Sequence, residues 1–182
     1  MSNSNILELG EILYDAIKWY GEQRILSDIV QGESQEVIKG ILERCMSTVE
    51  SSEPVTLETH GTFAEGLLHY LLTASMIPSQ RKTKFQLVDI DIAIPDTRTL
   101  GTSPKDVIII SIPKTNNIEL INSKISKLRK IQPIPDNIWI VLENDIVPDA
   151  KVYTLKDSLT FSNIINDLIS FSSDKKHLRL VF

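Results

Sequence analysis

Cysteine, glycine and long apolar runs are all scarce in this sequence, and each scarcity argues against a class of protein. The single cysteine, Cys45, cannot form a disulfide within the chain, which favours a reducing compartment. Seven glycines in 182 residues leave little material for long flexible linkers. No stretch approaches the roughly 20 apolar residues of a membrane span, and no basic segment followed by an apolar one opens the chain. We therefore expect a soluble, cytoplasmic protein that makes no contact with membranes.

The signatures of several enzyme classes are also missing. No glycine-rich loop that could hold nucleotide phosphates is present, which argues against a nucleotide-dependent enzyme. No Ser-His-Asp or Cys-His order stands out, and Ser111 lies inside a predicted strand rather than on a nucleophile elbow. His60, Glu65 and His69 match no standard zinc spacing and have no cysteine beside them. The sequence therefore disfavours nucleotide-driven, covalent and zinc-dependent chemistry.

Positive charge is in short supply as well, since the formal net charge is −5. Such a balance repels a polyanion over the molecule as a whole and lowers the expectation of nucleic-acid binding. The basic residues do form two local clusters, Arg81, Lys82 and Lys84 in the first and Lys124, Lys127 and Lys130 in the second. Each cluster is typical of a solvated surface, and each is also a candidate for contacts with nucleic-acid phosphates.

What the sequence does contain is enough apolar material for one ordinary globular domain, at 42% of the chain. Near the N-terminus, apolar residues recur at three- and four-residue steps over 5–22 and again over 35–50, which predicts two amphipathic helices. The segment Ser51-Ser52-Glu53-Pro54 then breaks the pattern. We interpret 1–53 as an N-terminal helical extension, which could pack on the core, on a protein partner or on a second copy of the chain.

The remainder, 54–182, reads as an alternation of helices and strands. A helix is predicted up to Ala74, and segments rich in isoleucine and valine follow it, as is typical of buried strands. The elements predicted after Ala74 are strands over 85–94, 107–112, 138–142 and 151–155, a loop over 95–104, and helices over 118–131 and 158–171. The helix over 118–131 can serve as a crossover between parallel strands. We therefore predict an α/β fold in which helices flank a sheet.

Acids occur in the first predicted strand where apolar residues are expected. In Asp89-Ile90-Asp91-Ile92, the period of two sends both aspartates to one face and both isoleucines to the other. Aspartate is costly to bury unpaired, so Asp91 marks either a site or an edge strand with one wet face. Lys114 follows the end of the next strand. Acids and a lysine at the ends of neighbouring strands suit the metal-assisted cleavage of a phosphodiester.

The segment 61–114 resembles the core of the PD-(D/E)XK nuclease superfamily, which includes restriction enzymes and archaeal Holliday-junction resolvases. Glu65, in Gly61-Thr62-Phe63-Ala64-Glu65, matches the glutamate of the helix that precedes the catalytic strands. Asp91 matches the strand aspartate, with Asp89 as a second candidate, and Lys114 matches the lysine of the third motif. The resemblance implies that 54–182 forms a restriction-endonuclease-like core, a mixed β-sheet flanked by helices.

The resemblance also implies roles for these residues. Asp91, Asp89 and Glu65 would hold Mg²⁺ or Mn²⁺, and Lys114 would assist the attacking water. The third motif departs from the family, because Ile112 stands where its acid belongs and supplies no side-chain oxygen. Two functions stay open: a metal-dependent endonuclease or exonuclease with a modified site, and a non-enzymatic interaction or assembly module on a degenerate nuclease fold.

Overall fold

Four helices come first in the chain. The computed structural model describes residues 3–51, 54–147, 150–156 and 158–174. The four helices are α1 (Asn3–Tyr20), α2 (Glu22–Val30), α3 (Ser34–Glu50) and α4 (Leu57–Ala74). The predictions for 5–22 and 35–50 are confirmed as α1 and α3, with α2 as a further helix between them. Helix α4 begins after Thr56, whose hydroxyl accepts a hydrogen bond from the Thr59 amide at 3.2 Å.

A five-stranded mixed sheet follows, with its strands in the order β1-β2-β3-β4-β5. The strands are β1 (Gln80–Phe85), β2 (Val88–Ile94), β3 (Ile108–Ser111), β4 (Ile138–Leu142) and β5 (Lys151–Thr154). The first three strands are antiparallel to one another in turn, whereas β3, β4 and β5 are parallel. The remaining helices are α5 (Thr97–Thr102), α6 (Ile118–Ile131) and α7 (Ile164–Asp174). Because α6 connects the parallel strands β3 and β4, its predicted role as a crossover is confirmed.

Apolar side chains are buried on both faces of this sheet. On one face, Ile92 and Ile94 share a core with helices α1 to α4 and α7. On the other face, Ile109 and Ile138 pack against α6. Strand β3 is buried along its whole length, as expected for a strand covered on both sides. The α/β class with helices flanking a mixed sheet is therefore confirmed, and the described part of the N-terminal extension packs on the core.

Helices from distant parts of the chain are hydrogen-bonded to each other. The hydroxyl of Ser34, at the start of α3, donates to Oδ1 of Asn166 in α7 at 2.9 Å, across 132 positions of sequence. The Asn166 side-chain amide donates in turn to the Gly32 carbonyl at 3.0 Å. Ser34 is fully buried, so its hydroxyl needs this partner. The contact fixes α7 against the turn that precedes α3.

The first strand pair differs from the prediction. We predicted one strand over 85–94 with Arg81, Lys82 and Lys84 in a turn, but Gln80–Phe85 forms a strand of its own, antiparallel to β2. A tight turn joins the two strands at Gln86 and Leu87, whose φ angles are 48° and 64°. The prediction was wrong because β1 is polar and half exposed, as edge strands often are, and because its turn lacks the usual Asn-Gly or Asp-Gly signal.

The side-chain alternation in β2 is also interrupted. Ile92 packs in the core beneath α4, whereas Ile90 packs in the opposite core with α6, so the prediction that both isoleucines share one face was wrong. Pairing with β1 is regular on either side of Asp91. Lys82, the β1 residue between those pairs, has a φ of 44°, outside the range of extended strands. We attribute the change of face to this irregular backbone, which the sequence pattern does not reveal.

The connection from β2 to β3 contains a helix where we predicted a loop over 95–104. Thr97–Thr102 forms α5, and Asp96 caps it by accepting a hydrogen bond from the Thr99 amide at 2.7 Å. Leu100 is its one buried residue. A six-residue helix is too short for an apolar period to emerge in the sequence. The loop prediction was therefore wrong.

Candidate functional site

The predicted site residues gather at the end of the sheet where β2 begins and β3 ends. Eight residues line a cavity of about 400 Å³ there, namely Glu65, Lys82, Thr83, Asp89, Ile90, Asp91, Ile112 and Lys114. Helix α4 supplies the glutamate, β2 the two aspartates, and the segment after β3 the lysine. The structure thus brings Glu65, Asp91 and Lys114 to one cavity, although they are far apart in sequence.

Asp91 is held by three donors. Its Oδ2 accepts hydrogen bonds from the Ser111 hydroxyl and the Ile112 amide, both at 2.9 Å. Its Oδ1 lies 3.3 Å from Nζ of Lys124, which reaches across from α6. The carboxylate therefore joins β2, β3 and α6, and both of its oxygens have partners within the protein.

Glu65 lies among three cationic side chains. Its Oε2 is 3.0 Å from Nζ of Lys114. Its Oε1 is 3.4 Å from Nζ of Lys82 and 3.9 Å from Nη2 of Arg81. Burial acts to raise the pKa of Glu65, but the hydrogen bonds and charges of Lys114 and Lys82 outweigh it and hold the pKa below its usual value. Glu65 is therefore ionised at neutral pH and paired with cations.

The position of Lys114 depends on two residues one turn before Glu65. Its ammonium group donates a hydrogen bond to the Thr62 hydroxyl at 3.0 Å. Its aliphatic stem crosses α4 at Gly61, where an added Cβ would lie 2.9 Å from Lys114 Cγ. A side chain at position 61 would thus displace the lysine. Gly61 and Thr62 belong to the motif that carried the resemblance, but their support of Lys114 was not predicted.

The other basic candidates lie in different surroundings. Lys84 pairs with Asp89 at 3.2 Å, and both side chains are 70% exposed, so the contact is a weak surface ion pair. Lys124 belongs to the site through Asp91. Lys127 and Lys130, farther along α6, are exposed and lie outside the cavity lining. The predicted second basic cluster therefore contributes one residue, Lys124, to the site.

Ser111 was not predicted to belong to the site. The motif spacing assigned the position of the third motif's acid to Ile112, but it is the Ser111 side chain that reaches Asp91. Ile112 contributes its backbone amide to the aspartate and buries its side chain in the core. The available signal was that Ser111 is the one polar residue in the run Ile108-Ile109-Ile110-Ser111-Ile112.

The site residues do not fit a preformed divalent-metal centre. Mg²⁺ and Mn²⁺ favour several oxygen ligands around one point. Among the described residues, no group of three His, Cys, Asp or Glu is placed to hold a metal ion. Each oxygen of Glu65 already has a lysine beside it, and both oxygens of Asp91 are engaged. The Mg²⁺ or Mn²⁺ expected from the resemblance stays a prediction.

A second charged cluster lies at the carboxyl end of β4. It contains His60 from α4, Glu143 and Lys156. Nδ1 of His60 is 3.4 Å from Oε1 of Glu143, and Nζ of Lys156 is 2.9 Å from the same oxygen. Burial lowers the pKa of His60, although the charge of Glu143 acts to raise it. His60 therefore stays neutral more readily than a solvated histidine does, and it takes no part in the Asp91 site.

Comparisons of the chain with protein-family models, with curated proteins and with solved structures found no match. Among the helices that the structure describes, none is long and apolar enough to cross a membrane.

Proposed function

We propose that this chain is a nuclease-related domain that binds the phosphate backbone of nucleic acid and does not cleave it. One observation carries the proposal: the carboxylates that the family uses to hold metal are each paired with a lysine. Lys114 lies 3.0 Å from Glu65, and Lys124 lies 3.3 Å from Asp91. Protein cations thus occupy the carboxylates to which a metal would bind.

The arrangement of elements supports a relationship with the PD-(D/E)XK nucleases. A helix that bears Glu65 precedes the strands, and the strands that bear Asp91 and lead to Lys114 are neighbours in a mixed sheet. Helices cover both faces of that sheet. These features fit the general α/β class of the core that the resemblance implies, and the proposed relationship itself rests on the motif residues Glu65, Asp91 and Lys114.

The chemistry of the site argues against hydrolysis. A metal-dependent nuclease uses its cation to generate hydroxide and to stabilise the charge that develops on the phosphate. Ile112 offers no side-chain oxygen, and the oxygens of Glu65 and Asp91 interact with lysines and hydrogen-bond donors. A cation would have to displace Lys114 or Lys124 to bind. The residues present therefore favour binding over cleavage.

The charge distribution supports binding of a polyanion at this end of the sheet. In the described part of the chain, three acids, Glu65, Asp89 and Asp91, pair there with five basic residues, Arg81, Lys82, Lys84, Lys114 and Lys124. Residues 1–53 carry 10 acidic and 4 basic side chains, whereas 54–182 carry 14 and 15. The helical extension thus has a net charge of −6 and the remainder +1, and the paired residues of the site include more bases than acids.

Binding and cleavage can be measured on the same samples. Fluorescence anisotropy with labelled single-stranded, duplex and branched DNA and with single-stranded RNA should show affinity that falls as salt is added. Lys114→Met should weaken binding, whereas Lys39→Met, which removes an equal charge from α3, should not. Gel assays with Mg²⁺ or Mn²⁺ should show no cleavage. Absence of binding to every substrate at low salt would refute the proposal.

The second candidate function is the nuclease itself. It is favoured by the common cavity that Glu65, Asp91 and Lys114 line. In this case, cleavage appears with Mn²⁺, disappears on chelation, and is lost in Asp91→Ala. Such a result would replace the binding proposal with an enzymatic one.

A further inference from the structure

We infer that Arg81, Lys82 and Lys114 form a metal-independent binding site for a phosphodiester, in which Glu65 is an internal stand-in for the phosphate. The inference rests on the proposed function and adds the chemical group that is bound, the residues that bind it, and the residue that competes with it. It differs from a nuclease mechanism, because the Glu65 carboxylate competes with the phosphate for the same cations, whereas in a nuclease it would bind a metal ion.

The geometry around Glu65 is that of a bound anion. Three cationic side chains converge on its carboxylate, at 3.0 Å for Lys114, 3.4 Å for Lys82 and 3.9 Å for Arg81. A phosphodiester carries the same single negative charge, and its two free oxygens accept the same kind of charge-assisted hydrogen bonds. A phosphate that replaces the carboxylate among these cations therefore restores the local charge balance.

The guanidinium group of Arg81 has a hydrogen-bond donor that its contact with Glu65 leaves unused. Its Nε is buried and has no hydrogen-bond partner among the described residues. Its Nη2 is 3.9 Å from Glu65, which is too long for a hydrogen bond. A buried donor without an acceptor is unfavourable, and arginine is the side chain whose planar group best matches phosphate oxygens. The Arg81 side chain is 29% exposed, so an oxyanion can approach its guanidinium group, and a rotation that turns Nε towards the cavity would give this donor an acceptor.

The space around the cations suits a diester rather than a terminal phosphate. The cavity of about 400 Å³ that contains Asp91 lies on one side of the Glu65–Lys114 ion pair. A second cavity of about 230 Å³ is lined by Arg81, Thr62 and the acidic Glu58, among others, and shares Glu65, Lys82 and Lys114 with the first. The two cavities thus meet at the cations. A strand whose phosphate binds there has room for the chain on both sides.

Lys114 is already positioned by its neighbours for contact with a phosphate. Its ammonium group donates to the Thr62 hydroxyl at 3.0 Å, and its stem lies against Gly61. A lysine that is already ordered loses less conformational entropy when a ligand binds. The side chain of Lys82 is 74% exposed and can move towards a ligand. The site therefore combines one fixed and one mobile ammonium group with the Arg81 guanidinium.

The role of Glu65 can be tested by removing its charge. Binding of a short labelled single-stranded DNA is measured by anisotropy in EDTA for the wild type, Glu65→Gln and Glu36→Gln. Glu36 also pairs with a lysine, Lys39, but lies on α3 away from the site. We expect Glu65→Gln to tighten binding by about three- to tenfold, since three cations lose their internal partner. Glu36→Gln should stay within about twofold of the wild type.

A second set of variants applies if Glu65→Gln does not fold, as judged by thermal unfolding. Lys82→Met removes an exposed charge without opening the core, and Arg81→Met removes the orphan donor. Each should weaken binding and reduce the slope of log affinity against log salt by about 0.7 for a single strand. Weaker binding by a folded Glu65→Gln, or a requirement for Mn²⁺, overturns the inference.

The two proposals fail in different ways. If the wild type binds DNA but Arg81→Met, Lys82→Met and Lys114→Met bind equally well, the phosphodiester site is wrong and nucleic-acid binding stands. If neither the wild type nor Glu65→Gln binds any of the DNA or RNA substrates at low salt, both are wrong.

Discussion

The ammonium group of Lys124 lies 3.3 Å from Oδ1 of Asp91, so helix α6 is tied to the strand that carries the predicted metal ligand. Ser111 and the Ile112 amide complete the surroundings of the same carboxylate. Asp91 therefore acts as a structural junction between β2, β3 and α6. This role leads to expectations that differ from those for a catalytic aspartate.

The first prediction concerns the junction's cation. Lys124→Met keeps the aliphatic stem and removes the charge, and both partners are about a third exposed. We expect a loss of about 0.5–1 kcal/mol in the free energy of unfolding, measured with urea. Lys127→Met, on the exposed part of the same helix, should change it by less than about 0.5 kcal/mol. Equal stability of the two variants would show that the ion pair contributes nothing.

The second prediction concerns the hydrogen bonds that the Asp91 carboxylate accepts from β3. Asp91→Ala leaves the Ser111 hydroxyl and the Ile112 amide without their acceptor, so we expect a loss of about 2–4 kcal/mol in stability. Asp91→Asn keeps an acceptor and should cost less. Asp89→Ala is the matched control, because Asp89 is 70% exposed and should cost about 0.5 kcal/mol or less. If Asp91→Ala unfolds at the same urea concentration as Asp89→Ala, Asp91 is not a junction.

The third prediction compares two helical glycines. Gly10→Ala in α1 meets no atom within 4 Å and should stabilise the protein by about 0.5–1 kcal/mol through helix propensity. Gly61→Ala has the same propensity, but its Cβ lies 2.9 Å from Lys114 Cγ and must displace that side chain. We expect little or no gain in stability at Gly61 and weaker nucleic-acid binding, as in Lys114→Met. An equal gain at both positions with unchanged binding would contradict this account.

The fourth prediction concerns pH. Burial lowers the pKa of His60 and of His69 below the value of about 6.5 that applies in the unfolded chain. The folded protein thus binds these protons less readily than the unfolded chain, and stability should fall as the pH drops below about 6.5. Glu65 and Glu143 have lowered pKa values, so their contributions are lost only below about pH 4.5.

Urea midpoints between pH 8 and pH 5 would measure this dependence. His60→Gln should flatten the curve in that range, and His69→Gln should remove a further part. A His60→Gln curve parallel to that of the wild type would assign the dependence to other groups.

The regular elements could be predicted because their patterns are local. The apolar period of α1, α3 and α6 and the isoleucine-rich runs of β3 and β4 depend only on near neighbours in the sequence. Strand β1 was missed because its residues are polar and its burial comes from β2. The sequence alone could not predict its partner.

The site could be predicted in part. Glu65, Asp91 and Lys114 were identified by their resemblance to a family motif, and they do line one cavity. Their partners, Ser111 and Lys124, were not assigned to Asp91, because the first contact arises from the pairing of β2 with β3 and the second from the packing of α6 beside β2. Long-range geometry of this kind leaves no periodic signal in the sequence.

The hydrogen bonds between Ser34, Asn166 and Gly32 bear on how the chain acquires its structure during synthesis. A buried serine near the beginning of the chain has its acceptor more than a hundred residues later. The early helices therefore emerge from the ribosome before α7, which covers part of their apolar surface in the folded protein. The nascent chain therefore exposes an aggregation-prone apolar surface until α7 has been synthesised.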